Sequence, residues 1–295
     1  MPQILLLGRF GQLGWELERT LAPMGEVTAL DFPEIDLMNL KDLDEIVHLT
    51  RPDVIVNATA YTAVDQAEKD HGTAMALNAN APKRLAELAQ DFESALIHYS
   101  TDYVFDGEKG SPYIEADIPN PLGMYGKSKL AGEQAIEEIG GAYLILRTSW
   151  VYSLRRDSFV TKVLDWARNQ SSLQVVSDQV SNPTWCRMLA EVTAQVLAKA
   201  GEVPTGWMRE RHGLYHLAGS GFASRFDWAK KILEFDPNPD EQVVQDLQPA
   251  KTNDFPTQAQ RPLFSALNCD RFTDTFSIHL PNWEEVLRLA MDTTG

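Results

Sequence analysis

The sequence predicts an α/β fold, a doubly wound parallel sheet joined to a smaller, mainly C-terminal region. Three observations carry this. Short apolar runs of strand length alternate with helical periodicity through the first 150 residues, the pattern of parallel strands joined by crossover helices. The first run ends in a glycine-spaced turn that opens a helix. Pro and Gly concentrate after residue 200, where the chain becomes irregular.

In order, Gln3–Leu7 reads as a buried strand and passes at once into Gly8, Gly11 and Gly14, followed by a helical stretch from Trp15 to Met24. Strand, G-x-x-G-x-x-G and helix together form the context in which backbone N–H groups meet a pyrophosphate. Val27–Leu30 is the second strand and ends at Asp31, about 20 residues past the glycines, where a carboxylate accepts from ribose hydroxyls. That carboxylate repels a 2′-phosphate and so favours NADH over NADPH, with Arg9 in the glycine loop as an offset. Asp36, followed by Leu37, suits an adenine contact and a helix cap equally.

Leu40–Leu49 is helical, Val54–Val56 a strand, and Ala58, Thr59, Ala60 and Tyr61 follow it with small residues that let a cofactor lie close to the backbone. Residues 65–90 hold helical segments, in which Asn78 is either a cap or, preferably, a polar contact near the next strand. Residues 95–97 open that strand, with His98 expected as a core histidine. Residues 142–146 form a further strand, after which Trp150 either lines a sugar pocket or belongs to the core. Helices at 159–169, 188–200 and 227–235 and strands at 173–176 and 214–217 complete the pattern. The expected division is residues 1–150, with 172–200 returning to them, against 151–171 with 201–295.

Composition narrows the function. At 295 residues and 44% hydrophobic content the chain can bury a full core. A net charge of −16 disfavours nucleic acid and anionic membranes as partners. No run of eighteen apolar residues occurs, so no membrane-spanning helix is expected. Cys186 and Cys269 form neither a disulfide framework nor a zinc site, which fits a reducing cytoplasm. The first apolar strand starts without a basic leader, so a secretory signal is not expected.

The chemistry concentrates in residues 96–133. Thr101 ends a strand, and Tyr125 and Lys129 lie four apart, on one face of a helix. An ammonium beside a phenol is expected to lower its pKa toward the range of neutral-pH proton transfer, with Thr101 holding the oxygen that gains or loses the proton.

With the glycine loop, Ser100–Gly107 (STDYVFDG) and Tyr125–Glu133 (YGKSKLAGE) in view, the chain resembles the dTDP-4-dehydrorhamnose reductases of the extended short-chain dehydrogenase/reductase superfamily, Rossmann-type enzymes. The segments Asn57–Glu68 and Asn120–Glu133 and the Asp178-Gln179 and Pro183-Thr184 pairs add to it. The resemblance implies Thr101, Tyr125 and Lys129 as the catalytic trio. It assigns the cofactor, NADH or NADPH, to Gly8, Phe10, Gly11, Gln12, Leu13 and Gly14, to Asp31, Asp36 and Leu37, to Ala58–Tyr61, and to Tyr125 and Lys129. It assigns the nucleotide-sugar substrate to Thr101, Asp102, Tyr103, Tyr125 and Trp150. It also allows a homodimer and Mg2+ at a subunit contact, with Glu16 at the matching position.

Departures from the family pattern lie at Ser181, usually Gly, and at Gln260 and Phe264, usually Arg and Asn; these segments face the substrate in the family and leave the exact sugar open. The implied reaction is reduction of a 4-keto group to give dTDP-L-rhamnose for polysaccharide synthesis. Its rivals are reduction or epimerisation of another nucleotide sugar, and a non-catalytic dinucleotide-binding regulatory subunit.

Overall fold

Side-chain alternation along the first strand sets the layers. In β1 (Gln3–Leu7), Ile4 and Leu6 join one apolar cluster and Leu5 and Leu7 another. The structure, a computed structural model, describes residues 1–292. Strands β2 (Glu26–Leu30), β3 (Val54–Asn57), β4 (Ala95–Thr101), β5 (Ala142–Thr148) and β10 (Gly213–His216) complete a parallel six-stranded sheet in the order β10-β5-β4-β3-β1-β2. Helices α1 (Gln12–Leu21) and α8 (Cys186–Ala200) cover one face through Leu17, Leu21, Leu189 and Val196. Helices α2 (Leu40–Thr50), α5 (Ala81–Asp91) and α6 (Met124–Ile139) cover the other through Leu43, Val47, Leu85, Leu88 and Ile136. Burial on both faces explains why these strands read as continuous apolar runs. Between β3 and α5 the chain makes two short helices, α3 (Val64–Ala67) and α4 (His71–Met75), and a π-turn at Ala76–Asn80.

The winding reverses between β1 and β3, and a crevice opens beyond the carboxyl ends of the strands at that point. A second apolar cluster stands over it. There α7 (Phe159–Asn169), α10 (Arg225–Glu234) and α12 (Trp283–Met291) pack around Trp228, Val160, Val163 and Leu287. Three two-stranded pieces frame it: β6 (Val151–Tyr152) with β9 (Thr184–Trp185), β7 (Ser172–Val176) with β12 (Asp246–Ala250), and β8 (Val180–Ser181) with β11 (Ala223–Ser224). Ser158 and Thr161 cap α7 reciprocally, so its start is fixed locally.

Two parts of the expected division need correction. Residues 172–176 pair with β12 and do not return to the main sheet; only α8 does, against α1. Residues 213–216, expected in the smaller region, form the sixth strand of the main sheet, and α9 (Pro204–Arg209) and α11 (Asp270–Phe276) put Met208, Phe272 and Phe276 into its core. The free edge of β5 requires a partner strand, and a four-residue segment from far along the chain supplies it. No helix among the described residues is long and apolar enough to cross a membrane.

That sixth strand carries a pH liability. The buried His216 directs Nδ1 at the carbonyls of Tyr113 and Asn268, and burial with the nearby Arg147 charge lowers its pKa from 6.5 to about 3. Burial lowers His98 in the same direction. The unfolded chain then binds protons that the folded chain refuses between about pH 6.5 and 3, so stability is complete above that window and falls as pH falls through it. Each such histidine contributes a slope of about 1.4 kcal/mol per pH unit. Urea midpoints between pH 5 and 7 should show this slope, and His216→Gln should flatten it by one histidine's share; an unchanged slope would reject the assignment.

Candidate active site

The strand ends deliver the pieces. Helix α1 begins against the first glycine: a Cβ on Gly14 would lie 1.9 Å from the Gly8 carbonyl oxygen. This close approach leaves the α1 amino terminus open to a ligand. Ala58–Ala60 follow β3, Thr101 ends β4, and Thr148 pairs with it across the sheet at the end of β5. All of them line one cavity of about 770 Å3, together with Gly8, Gly11, Gln12, Leu13, Asp31, Asp36, Leu37, Tyr103, Tyr125, Lys129 and Trp150. An extended crevice beside a glycine cradle that one methyl group would fill fits a dinucleotide. The unpartnered, buried Ser100 and Thr148 hydroxyls near its inner end add polar groups for a ligand.

Asp31 accepts from the backbone N–H of Phe10 at 2.9 Å and of Phe32 at 2.8 Å, tying the second strand to the glycine loop. Arg9, expected to offset its charge, instead pairs with Glu34 at 2.9 Å. Asp36 is not the helix cap, which is Asn39; it lines the cavity, and its Oδ1 accepts from Met38 N at 2.9 Å. Asn78 is a polar contact and not a cap. It accepts from Tyr61 N at 2.8 Å and donates to Ser128 Oγ at 2.9 Å, which ties the segment after β3 to α6. Phe10 lies nearly half-exposed at the loop tip, and neither it nor Tyr61 lines the cavity.

Helix α6 seats itself against the strand ends through Gly126, where a Cβ would lie 2.1 Å from the Tyr103 carbonyl oxygen. This brings the Tyr125 phenol beside the Thr101 hydroxyl, which itself donates to Asp102 Oδ1 at 3.2 Å. Lys129, one turn on, lies beneath them, 1% exposed. The sequence expects its ammonium to lower the phenol's pKa; the structure differs. The Lys129 amine donates to the Tyr99 carbonyl at 2.6 Å and lies 3.2 Å from His98 Nε2. Burial raises the Tyr125 phenol, the Thr101 hydroxyl opposes the rise, and nearby Asp102 adds to it. Burial lowers Lys129 from 10.5 to about 8.

Asp102, expected at the substrate, lines the cavity, although it is only 2% exposed and its carboxylate oxygens are held by protein hydroxyls. Its Oδ2 accepts from Ser149 at 3.2 Å, Ser181 at 3.0 Å and Ser265 at 2.5 Å, and its Oδ1 from Thr101 at 3.2 Å. Desolvation raises its pKa and these hydroxyls oppose the rise. The departure at Ser181 thus supplies one of the donors. Phe264 meets Phe222 edge-on at 5.4 Å, and Gln260 is exposed at the surface.

Trp150 both packs against the second apolar cluster and lines a cavity. It stacks on Trp228 at 5.5 Å and lines both the main cavity and an adjoining one of about 640 Å3. Its φ of 39° is rare for a bulky residue, the kind of outlier found at functional sites. Arg225 went unnoticed in the sequence. Its guanidinium lies 3.6 Å over the Trp150 ring, close to Tyr103, and has no carboxylate partner among the described residues. Burial lowers it only to about 10, so it stays cationic at neutral pH. Arg225 and Arg261 line both cavities where they meet; Arg261 is held at 2.8 Å by Asp65. Nothing local marks Arg225, because its significance depends on the fold of α10 against residue 150.

Glu16 is raised by burial and faced by Arg187, Arg19 and Arg155; among the described residues no group of three or more His, Cys, Asp or Glu side chains is placed to hold a metal. The described residues therefore offer no such cluster for the magnesium ion that the resemblance allows at a subunit contact.

A family model described as RmlD substrate binding domain matches residues 2–295. The chain is 40% identical over 286 residues to dTDP-4-dehydrorhamnose reductase from Shigella flexneri, covering 95% of this chain and 94% of that protein. A crystal structure of a dTDP-4-dehydrorhamnose reductase from Clostridium acetobutylicum superimposes with a TM-score of 0.89 at 32% identity, covering 98% of both chains. One from Bacillus anthracis, in complex with NADP, superimposes with a TM-score of 0.87 at 31% identity, again over 98% of both chains. The chain belongs to the dTDP-4-dehydrorhamnose reductase family.

Proposed function

We propose that the protein reduces the 4-keto group of dTDP-4-dehydro-L-rhamnose to give dTDP-L-rhamnose, using NADH or NADPH, for polysaccharide synthesis. The observation that carries the reading is the Thr101–Tyr125 pair at the inner end of a crevice that also holds the glycine cradle. A bound reduced nicotinamide would supply the hydride. Tyr125, kept protonated by burial, donates a proton to the ketone oxygen as negative charge builds there. Thr101 hydrogen-bonds the same oxygen and holds the phenol in line. Lys129 orients the nicotinamide ribose, and Gly8–Gly14 with Asp31 hold the adenosine half.

The adjoining aromatic cavity, with Trp150, Phe159, Trp166 and Trp228, suits the base and sugar of the substrate. Arg225 and Arg261, at the junction, suit its diphosphate. Arg225→Met should raise KM for the nucleotide sugar by roughly 10- to 100-fold, the worth of a charged hydrogen bond, while NADH affinity holds. A KM within twofold of wild type would remove Arg225 from the substrate site.

Asp31→Ser should shift preference toward NADPH by roughly tenfold by removing like-charge repulsion, read from dissociation constants of the two dinucleotides. The primary test is NADH consumption with dTDP-4-keto-6-deoxyglucose and a 3,5-epimerase. Consumption dependent on both sugar and epimerase supports the reading. No consumption, with a stoichiometric protein partner recovered instead, would favour a regulatory subunit. A cytoplasmic setting, supported by two free cysteines, and a homodimer, carried by the family resemblance, complete the reading; light scattering should give twice the chain mass.

A further inference from the structure

Beneath Lys129 runs a closed chain of hydrogen bonds whose donors and acceptors can be ordered without ambiguity. It begins at a fixed donor: the backbone N–H of Thr59 points at Asn57 Oδ1 at 3.1 Å, and the Thr59 hydroxyl joins it at 2.6 Å. A backbone N–H only donates, so the oxygen of the Asn57 amide faces Thr59 and its NH2 faces the other way. That NH2 lies 3.1 Å from His98 Nδ1. Two donors cannot share the contact, so Nδ1 is the bare, accepting nitrogen of the ring. His98 is fully buried and burial disfavours its charged form, so the ring is neutral and its single proton sits on Nε2. Nε2 lies 3.2 Å from Lys129 Nζ. An Nε2–H pointing at Nζ requires a lone pair there, whereas an ammonium has none.

We infer that His98 is a positioning residue for Lys129: held as the Nε2–H tautomer by Asn57, it donates to Nζ and keeps that nitrogen as an uncharged amine, which also donates to the Tyr99 carbonyl. Burial lowers Lys129 to about 8 against the raising effect of the Glu133 charge, so the uncharged amine is the major form above about pH 8. The other groups around Nζ do not supply a competing acceptor. Glu133, one turn further along α6, is bound at both oxygens by Arg147 of β5, at 2.9 and 2.6 Å. Burial keeps Tyr125 on α6 protonated, and Asp102 beyond it is engaged by four hydroxyls.

A consequence follows for ligand binding. When ribose hydroxyls enter the crevice, the amine gains a proton from solvent, becomes an ammonium, and leaves the donating His98 for the new acceptors. Dinucleotide binding is thus coupled to proton uptake by the protein, and affinity falls as pH rises above the pKa of Lys129. The inference deepens the proposed reductase reading and rests on it for the ligand, but the tautomer does not.

The test has two arms. Long-range 1H–15N correlation spectra of protein carrying 15N-labelled histidine report which ring nitrogen bears the proton, and His98→Gln assigns the His98 signals. The expected result is a bare Nδ1 and a protonated Nε2 at pH 8.5; a protonated Nδ1 overturns the proposal. In the second arm, calorimetric titration with NADH at pH 8.5 in two buffers of different ionisation enthalpy counts protons. Wild type should take up most of a proton, and Lys129→Met should take up none. Asn57→Asp should reverse the His98 tautomer, leave Lys129 charged beforehand and abolish the uptake. No uptake by wild type overturns the proposal even if Asn57→Asp fails to fold. Correct tautomer and uptake in a protein that never oxidises NADH with the sugar would instead count against the reductase reading alone.

Discussion

Tyr125→Phe should lower turnover by roughly 10²- to 10⁴-fold, the usual worth of a positioned general acid, with NADH affinity unchanged. The phenol lies beside Thr101 at the inner end of the crevice, and burial keeps it protonated and ready to donate. Phenylalanine keeps the ring and its edge-on contact with Tyr103 at 5.6 Å, so the change isolates the proton. Stopped-flow measurement of NADH oxidation separates the chemical step from product release. Turnover within threefold of wild type would sink the catalytic assignment and leave the crevice as a binding site only.

Arg147→Met should destabilise the protein by about 3–5 kcal/mol, the cost of stranding one partner of a buried ion pair. Arg147 on β5 and Glu133 on α6 are 3% and 1% exposed and meet through two bonds of 2.9 and 2.6 Å. Without the guanidinium, a carboxylate is left in the core one turn from Lys129, on the helix that also carries Tyr125. The loss should therefore appear in activity as well as in the urea midpoint. The double variant Glu133→Leu/Arg147→Met should recover most of the stability, since a buried pair can be replaced by apolar groups at little cost. A single variant within 1 kcal/mol of wild type would show that the pair contributes nothing. A double variant as unstable as the single would place the loss in packing, including that of Arg147 against Phe105 at 5.0 Å.

The glycine cradle and the β1–α1 turn were legible because their requirements are local: a tight turn and a close approach that no side chain permits. The Thr101, Tyr125 and Lys129 set was legible for a related reason, since strand-end position and helical spacing each constrain direction. Arg225 was not, and neither was the serine shell of Asp102, drawn from residues 149, 181 and 265 on separate segments. The edge strand at 213–216 was visible as a strand but not as part of the main sheet, because strand pairing is a long-range property.

Sequence alone determined which chemical groups this protein owns and the strand–helix alternation of a parallel sheet. Periodicity and turn chemistry act over a few residues and survive without tertiary context. Only the tertiary structure decided where Lys129 points, which nitrogen of His98 faces it and which cation lines both cavities. Those outcomes depend on which donors and acceptors meet at about 3 Å, and residues far apart in the chain meet only after the core has formed.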